Sequence, residues 1–244
     1  MRFVQGGIFT ASFKASGIVL RQFETGEGDR RLAVLLRERG KLLLHARGGA
    51  RASGKFLAAR PFVYAEFVIF DGGSFHSLSS ASEIRAFKEI QGSYEKICLG
   101  LYMAELADKT APPGENCDET LDLVIRGWRA AGLEKTSLRL IRAAFELKFT
   151  QIAGYEPNIG SCLSCGAERA DFFGAHGLKC RSCRDEESVR LGSAARYAAA
   201  YILNSGAEKT FSFTLDEKAE LELVKAAGLS VLCVGAAAKS ARFL

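Results

Sequence analysis

GIVLRQFETGEGDRRLAVLLRERGKLLLHARGGAR, residues 17–51, holds three apolar runs cut apart by glycine turns. Val, Ile, Leu and Phe fill Gly17 to Phe23, Arg30 to Arg37 and Lys41 to Arg47. Gly26–Glu27–Gly28, Arg39–Gly40 and Gly48–Gly49 separate or close them, as turn residues do between strands. Two further runs, Phe62 to Phe70 and Phe75 to Ser79, flank Asp71–Gly72–Gly73. Five short strands in this span predict a small, partly open barrel, as in an OB-fold. Composition alone also allows a helix over Asp29 to Arg39. In the third run Lys41, Leu43, His45 and Arg47 fall on one side, and Leu42, Leu44 and Ala46 on the other. That alternation puts two cations and a histidine on a half-exposed surface.

After this segment the period changes. Leu138, Ile141, Phe145, Phe149 and Ile152 share one helical face, with Arg139, Arg142 and Glu146 opposite. Gly154 and Pro157 end that helix. Tyr94, Ile97, Leu101 and Ala104 mark an earlier helix, broken by Pro112–Pro113–Gly114, and Asn116 with Glu119 predicts a capping box for the next. Residues 86–154 therefore read as packed helices. Residues 192–204 and 216–227 also read as helical, and the alternating FSFTL at 211–215 as a short extended piece.

Between these helices lie Cys162, Cys165, Cys180 and Cys183, two Cys-x-x-Cys pairs with fourteen residues between them. Two such knuckles bring four soft ligands to one point, the requirement of tetrahedral zinc. Gly166 lets the backbone turn back toward the first pair. Four thiolates leave no position for water, so one structural Zn2+ is expected rather than a catalytic one. Lys179, Arg181 and Arg184 can offset the negative charge of the cluster. Cys98, Cys117 and Cys233 read as buried reduced thiols. The opening MRFVQGGIFTASF lacks a signal peptide's apolar core, and no run approaches membrane-spanning length, so a reducing cytoplasm without membrane association is expected.

The net charge of +5 is unevenly spread. Residues 1–80 carry 12 Lys and Arg against 6 Asp and Glu, whereas 81–160 carry 10 against 12 and 161–244 carry 11 against 10. A basic first third suggests a polyanionic partner. The candidate nucleic-acid contacts are Lys41, Arg47, Arg51, Lys55 and Arg60, in the stretch running into HARGGARASGKFLAARPF, with Arg21, Arg30 and Arg31 extending the patch. Phe56 and Phe62 interleave with these charges and could offer stacking surfaces to bases, but core packing is the stronger reading for each. No phosphate-binding Gly-x-x-x-x-Gly-Lys loop, Gly-x-Ser-x-Gly elbow or His-x-Glu deaminase element is present, so an enzyme is not expected.

The order of these parts resembles the RecO family of bacterial DNA-repair proteins. The resemblance rests on the opening strand, the turn at Gly26 to Asp29, Gly40–Lys41, Gly48 to Arg51, PFVYAEFVIF, and AGYEPNIGSCLSCG, and it covers residues 17–185. It implies an α+β chain: an N-terminal OB-fold barrel, a helical domain and an embedded four-cysteine zinc module. The expected boundaries are 1–82 for the barrel, 83–157 with 190–244 for the helices, and 158–189 for the zinc module. The resemblance further implies a recombination mediator in RecF-pathway repair. Such a mediator binds single- and double-stranded DNA and anneals complementary strands. It works with RecR and the C-terminal tail of single-stranded-DNA-binding protein (SSB), and indirectly with RecA, at the bacterial nucleoid. Its SSB contact is expected in an apolar pocket flanked by cations among the helices. Ala52, Ser53 and Gly54 thin the basic loop relative to the family pattern. An RNA-binding zinc-ribbon protein and a helical scaffold for protein partners are the alternatives.

Overall fold

The computed structural model describes residues 11–25, 28–48, 54–73, 75–133, 135–206, 208–235 and 240. The chain forms two compact units. One runs up to Ala86 and includes Ala111–Leu121; the other comprises Phe87–Thr110 and the chain from Asp122 onward.

The first unit is a barrel of five strands: β1 (Ala11–Thr25), β2 (Asp29–Leu36), β3 (Gly40–Ala46), β4 (Val63–Asp71) and β5 (His76–Ala86). Their order around the barrel is β1-β2-β3-β5-β4, which is the OB-fold, and it is closed rather than partly open. All neighbours are antiparallel except β3 and β5, paired at Leu44–His76 and His45–Ser77. Asp29 to Leu36 is a strand, so the helical alternative fails. Its alternate residues Leu32, Val34 and Leu36 enter the core with Val19, Leu44, Ala65, Phe67, Ile69 and Leu78. The last strand extends past Ser79 to Ala86, because β4 supplies a pairing partner that the polar sequence SASEIRA does not advertise.

Ala111–Leu121 lies along the β2–β3 turn as a strap. Pro113 bridges to Lys41, whose carbonyl accepts from the Gly114 N–H at 3.2 Å. The Asp118 carboxylate accepts from the Glu38 N–H at 2.8 Å and pairs with Arg37 at 3.6 Å. The expected Asn116–Glu119 capping box does not form. The Asn116 side chain instead accepts from the Asp118 N–H at 2.9 Å, two residues on, and the helix begins at Asp118.

The second unit contains α1 (Tyr94–Thr110), most of α2 (Asp118–Gly132), α3 (Leu138–Ile152), α4 (Ser193–Asn204) and α5 (Glu217–Leu232). Of the predicted stripe on α3, Ile141, Phe145 and Phe149 are buried against the other helices and Leu138 and Ile152 are half-buried, while Glu146, expected on the opposite side, is buried as well. Gly154 ends the helix at φ +84°, as expected. On α2, the Trp128 indole N–H donates to the Gly100 carbonyl at 2.9 Å. Residues 211–215 form no strand. Phe211 and Phe213 line a groove, and the Phe211 carbonyl accepts from Thr136 at 3.3 Å.

A three-stranded sheet, β6 (Phe172–Gly174), β7 (Gly177–Lys179) and β8 (Val189–Arg190), carries the cysteine knuckles. Asn158 pairs with this hairpin: its N–H reaches the His176 carbonyl at 3.0 Å, and its carbonyl accepts from Leu178 at 2.7 Å. Gly177 permits that approach, since a Cβ there would lie 2.3 Å from the Asn158 oxygen. The Cys233 thiol donates to the Ala175 carbonyl at 3.1 Å, fastening the sheet beside α5.

Candidate metal centre and nucleic-acid face

The sulfurs of Cys162, Cys165, Cys180 and Cys183 lie within 4.8 Å of one another. Cys165 and Cys180 are 3.7 Å apart, close to the ~3.8 Å edge of a tetrahedron with metal–sulfur bonds of about 2.3 Å. Each knuckle is a turn. The Gly166 N–H reaches the Cys162 carbonyl at 2.9 Å with Gly166 at φ +74°, and the Cys183 N–H reaches the Cys180 carbonyl at 3.1 Å. A backbone N–H of Cys180 leads in drawing the Cys162 thiol down to about 6. Hydrogen bonds with the Cys165 and Cys180 thiols push Cys183 up to about 12. Four thiols this close oppose one another's ionisation, and a soft divalent cation removes that opposition. The donor set fits one metal ion in a closed site.

The cations expected to balance the cluster are otherwise engaged in part: Lys179 pairs with Asp185, and the Arg184 guanidinium stacks 4.4 Å over Phe172. Cys98 is buried, and Cys117 and Cys233 are half-buried, all three as free thiols.

On the barrel, strand register sorts the expected basic residues. Phe23 pairs with Arg31, Arg31 with His45, His45 with Ser77 and Ser77 with Phe70. Paired residues share a face, and these alternate with the core residues Leu32, Leu44, Leu78 and Ile69, so they form one outward row across all five strands. Arg21 lies on the same side, its guanidinium 4.7 Å over the Phe23 ring. Arg31 and Arg47 are exposed and make no ion pair among the described residues; Lys55 is exposed and lies 4.8 Å over the Phe56 ring.

The remaining members are placed differently. Lys41 is half-buried beside the strap. Arg60 pairs with Glu83 at 3.8 Å, and its Nε is buried without a hydrogen bond. Arg30 pairs with Ala46 on the core-facing side, and its Nε is likewise buried and unpartnered. Arg51 lies outside the described residues. Phe56 and Phe62, each 6 % exposed, are core residues, so neither is a stacking surface.

Sequence reasoning missed Phe23, Phe70 and Phe75 as surface aromatics. The rings of Phe70 and Phe75 are 6.3 Å apart, and Phe75 is 46 % exposed. Alternation within each strand was the available signal, but only the register brings the rings onto one row. A second site lies in the helical unit, a groove of about 690 Å³ lined by Arg126, Arg129, Leu133, Lys135, Phe211 and Phe213, among others.

The family described as Recombination protein O N terminal matches residues 11–87, and Recombination protein O C terminal matches residues 91–229. The chain belongs to the RecO family. Relatives named DNA repair protein RecO span most of it. The Acetivibrio thermocellus protein is 27 % identical over 220 residues, 87 % of each chain. The Desulforudis audaxviator protein is 32 % identical over 180 residues, 72 % of each. The Exiguobacterium sibiricum protein is 33 % identical over 186 residues, 73 % of this chain and 74 % of its own. Both RecO matches fall on the parts just described, the N-terminal one on the barrel and the C-terminal one on the helices and cysteine knuckles. Family membership supports a DNA-repair role, and no helix among the described residues is long and apolar enough to cross a membrane.

Proposed function

We propose that this protein is a non-enzymatic recombination mediator that binds DNA on its barrel, anneals complementary strands and helps load RecA on SSB-coated single strands. The observation that carries this reading is exposed Arg21 and Arg31 on the outward side of β1 and β2, with Arg47 exposed just past the end of β3, within a RecO chain. Cations that neutralise phosphates release counterions and reduce repulsion between strands, so annealing needs no bond-making chemistry. Arg21, Arg31, Arg47 and Lys55 are the foremost contacts, with Arg51, close to them in sequence, adding charge. Lys41, Arg60 and Arg30, engaged or partly enclosed, contribute mainly to the field.

The other parts support this activity. Residues 158–189 hold one structural zinc ion through the four cysteines; the metal supplies cross-linking and no reactive position. The helices of 83–157 and 190–244 dock partners. The groove between Arg129, Lys135, Phe211 and Phe213 has the chemistry of a receptor for the SSB tail: cations around an apolar floor. RecR is a further partner in the assembly, and the protein works in the bacterial cytoplasm at the nucleoid.

Annealing of complementary oligonucleotides, bare and SSB-coated, tests the reading. Acceleration of both is expected, and no acceleration of either overturns it. Competition with matched RNA tests the RNA-binding alternative, which requires RNA to displace DNA at equal or lower concentration.

A further inference from the structure

We infer that Cys165 and Cys180 form a redox staple: when a peroxide oxidises the four-cysteine site, these two sulfurs join across the knuckles and hold the module folded without its metal. This rests on the metal site proposed above and deepens it. Cys165 is the exposed member of the four, whereas Cys162 is 2 % exposed and Cys180 and Cys183 are half-buried. An oxidant arriving from solvent therefore meets the Cys165 sulfur first. At 3.7 Å from it lies Cys180, in the other knuckle. Gly166, next to Cys165, has no atom within 4 Å of where a Cβ would stand. The first knuckle thus has room to bring the two sulfurs to the ~2.05 Å of a disulfide.

Hydrogen peroxide is the oxidant. The Cys165 sulfur attacks one peroxide oxygen; an S–O bond forms, the O–O bond breaks, and the second oxygen takes a proton and leaves as water. The Cys180 sulfur then attacks the Cys165 sulfur, forming the S–S bond and expelling the S–O oxygen, which also takes a proton and leaves as water. The two sulfurs lose two electrons in all, and peroxide is reduced to two waters. Cys162 and Cys183 alone are too few to hold the ion. Joining the knuckles closes a loop of fourteen intervening residues, whereas pairing within either knuckle closes one of two, so the cross-knuckle bond removes more freedom from the unfolded chain. Backbone bonds already hold the knuckles side by side: the Leu163 N–H donates to the Leu178 carbonyl at 2.8 Å, and Cys180 directly follows β7.

Treating the zinc-loaded full chain with peroxide tests this, with released metal read by a chromogenic chelator. Alkylated, unreduced protein is then cut with trypsin, which leaves Cys162 and Cys165 on one peptide and parts Cys180 from Cys183 by cleaving after Arg181. Fragmentation spectra should place the cross-link between Cys165 and Cys180, with about one metal ion released per link. Dithiothreitol and zinc should reverse both changes. Amide exchange over residues 172–179 should stay within about two-fold of the untreated protein, while chelated, reduced protein exchanges at least about ten-fold faster there. Links between any other pair of the four, sulfinic acid at Cys165 in place of a link, or a site unchanged by excess peroxide overturns the staple while leaving the metal site in place. So does exchange in the oxidised protein as fast as in the chelated one. A metal content near zero before peroxide overturns the metal reading itself.

Discussion

The α-carbon of Gly40 lies so close to the backbone of Glu115 that a Cβ would sit 1.8 Å from the Glu115 carbonyl oxygen. Gly40 also has φ +66°, a conformation other residues adopt only under strain. The glycine thus lets the strap lie directly on the β2–β3 turn. Gly40→Ala should destabilise the protein by at least about 2 kcal/mol, measured by denaturant unfolding. A loss within about 0.5 kcal/mol contradicts the contact.

Removing metal should act locally. Elemental analysis of reduced protein should give about one zinc per chain. Chelation or Cys162→Ser should loosen the 158–189 segment, read as faster amide exchange there, with the barrel's exchange unchanged. A metal content near zero contradicts the zinc assignment.

Glu146, fully buried, accepts from the Tyr102 hydroxyl at 2.5 Å and from Arg142 Nε at 2.9 Å. Its other oxygen is buried without a hydrogen bond. Desolvation raises its pKa above 4.5 despite the opposing effect of Arg142. The folded state therefore binds this proton more tightly than the unfolded chain does. The associated stability is full below the unfolded pKa and is lost as pH rises through the folded value. Wild type should lose stability relative to Glu146→Gln as pH is raised from about 4. A pH-independent difference between the two contradicts the raised pKa.

The groove lined by Arg129 and Lys135 should bind a peptide of the SSB tail. Arg129→Glu and Lys135→Glu should each weaken that peptide by about ten-fold in calorimetry, without changing binding of bare DNA. Equal affinity in both variants contradicts this placement.

Much of the barrel is readable in the sequence because a half-buried strand writes its period directly: Leu42, Leu44 and Ala46 inside, Leu43 and His45 outside. The four-cysteine site is readable for a similar reason, since its spacing is the geometry. Pro112–Pro113–Gly114 reads only as a helix breaker, because nothing local tells where a breaker docks. Arg30 and Arg31 look equivalent side by side, yet one faces the core and the other solvent. Phe56 and Phe62 lie among cations in sequence while their rings enter the core, whereas Phe23 and Phe70, 47 residues apart, join one surface through strand register.

The salt dependence of single-strand binding tests the central claim most directly. Arg31→Gln, Arg47→Gln and Lys55→Gln combined should weaken affinity at low salt and make the slope of log K against log salt shallower by about 2, at about 0.7 for each lost phosphate contact. Wild-type affinity and slope in the folded triple variant would contradict the barrel as the DNA-binding surface.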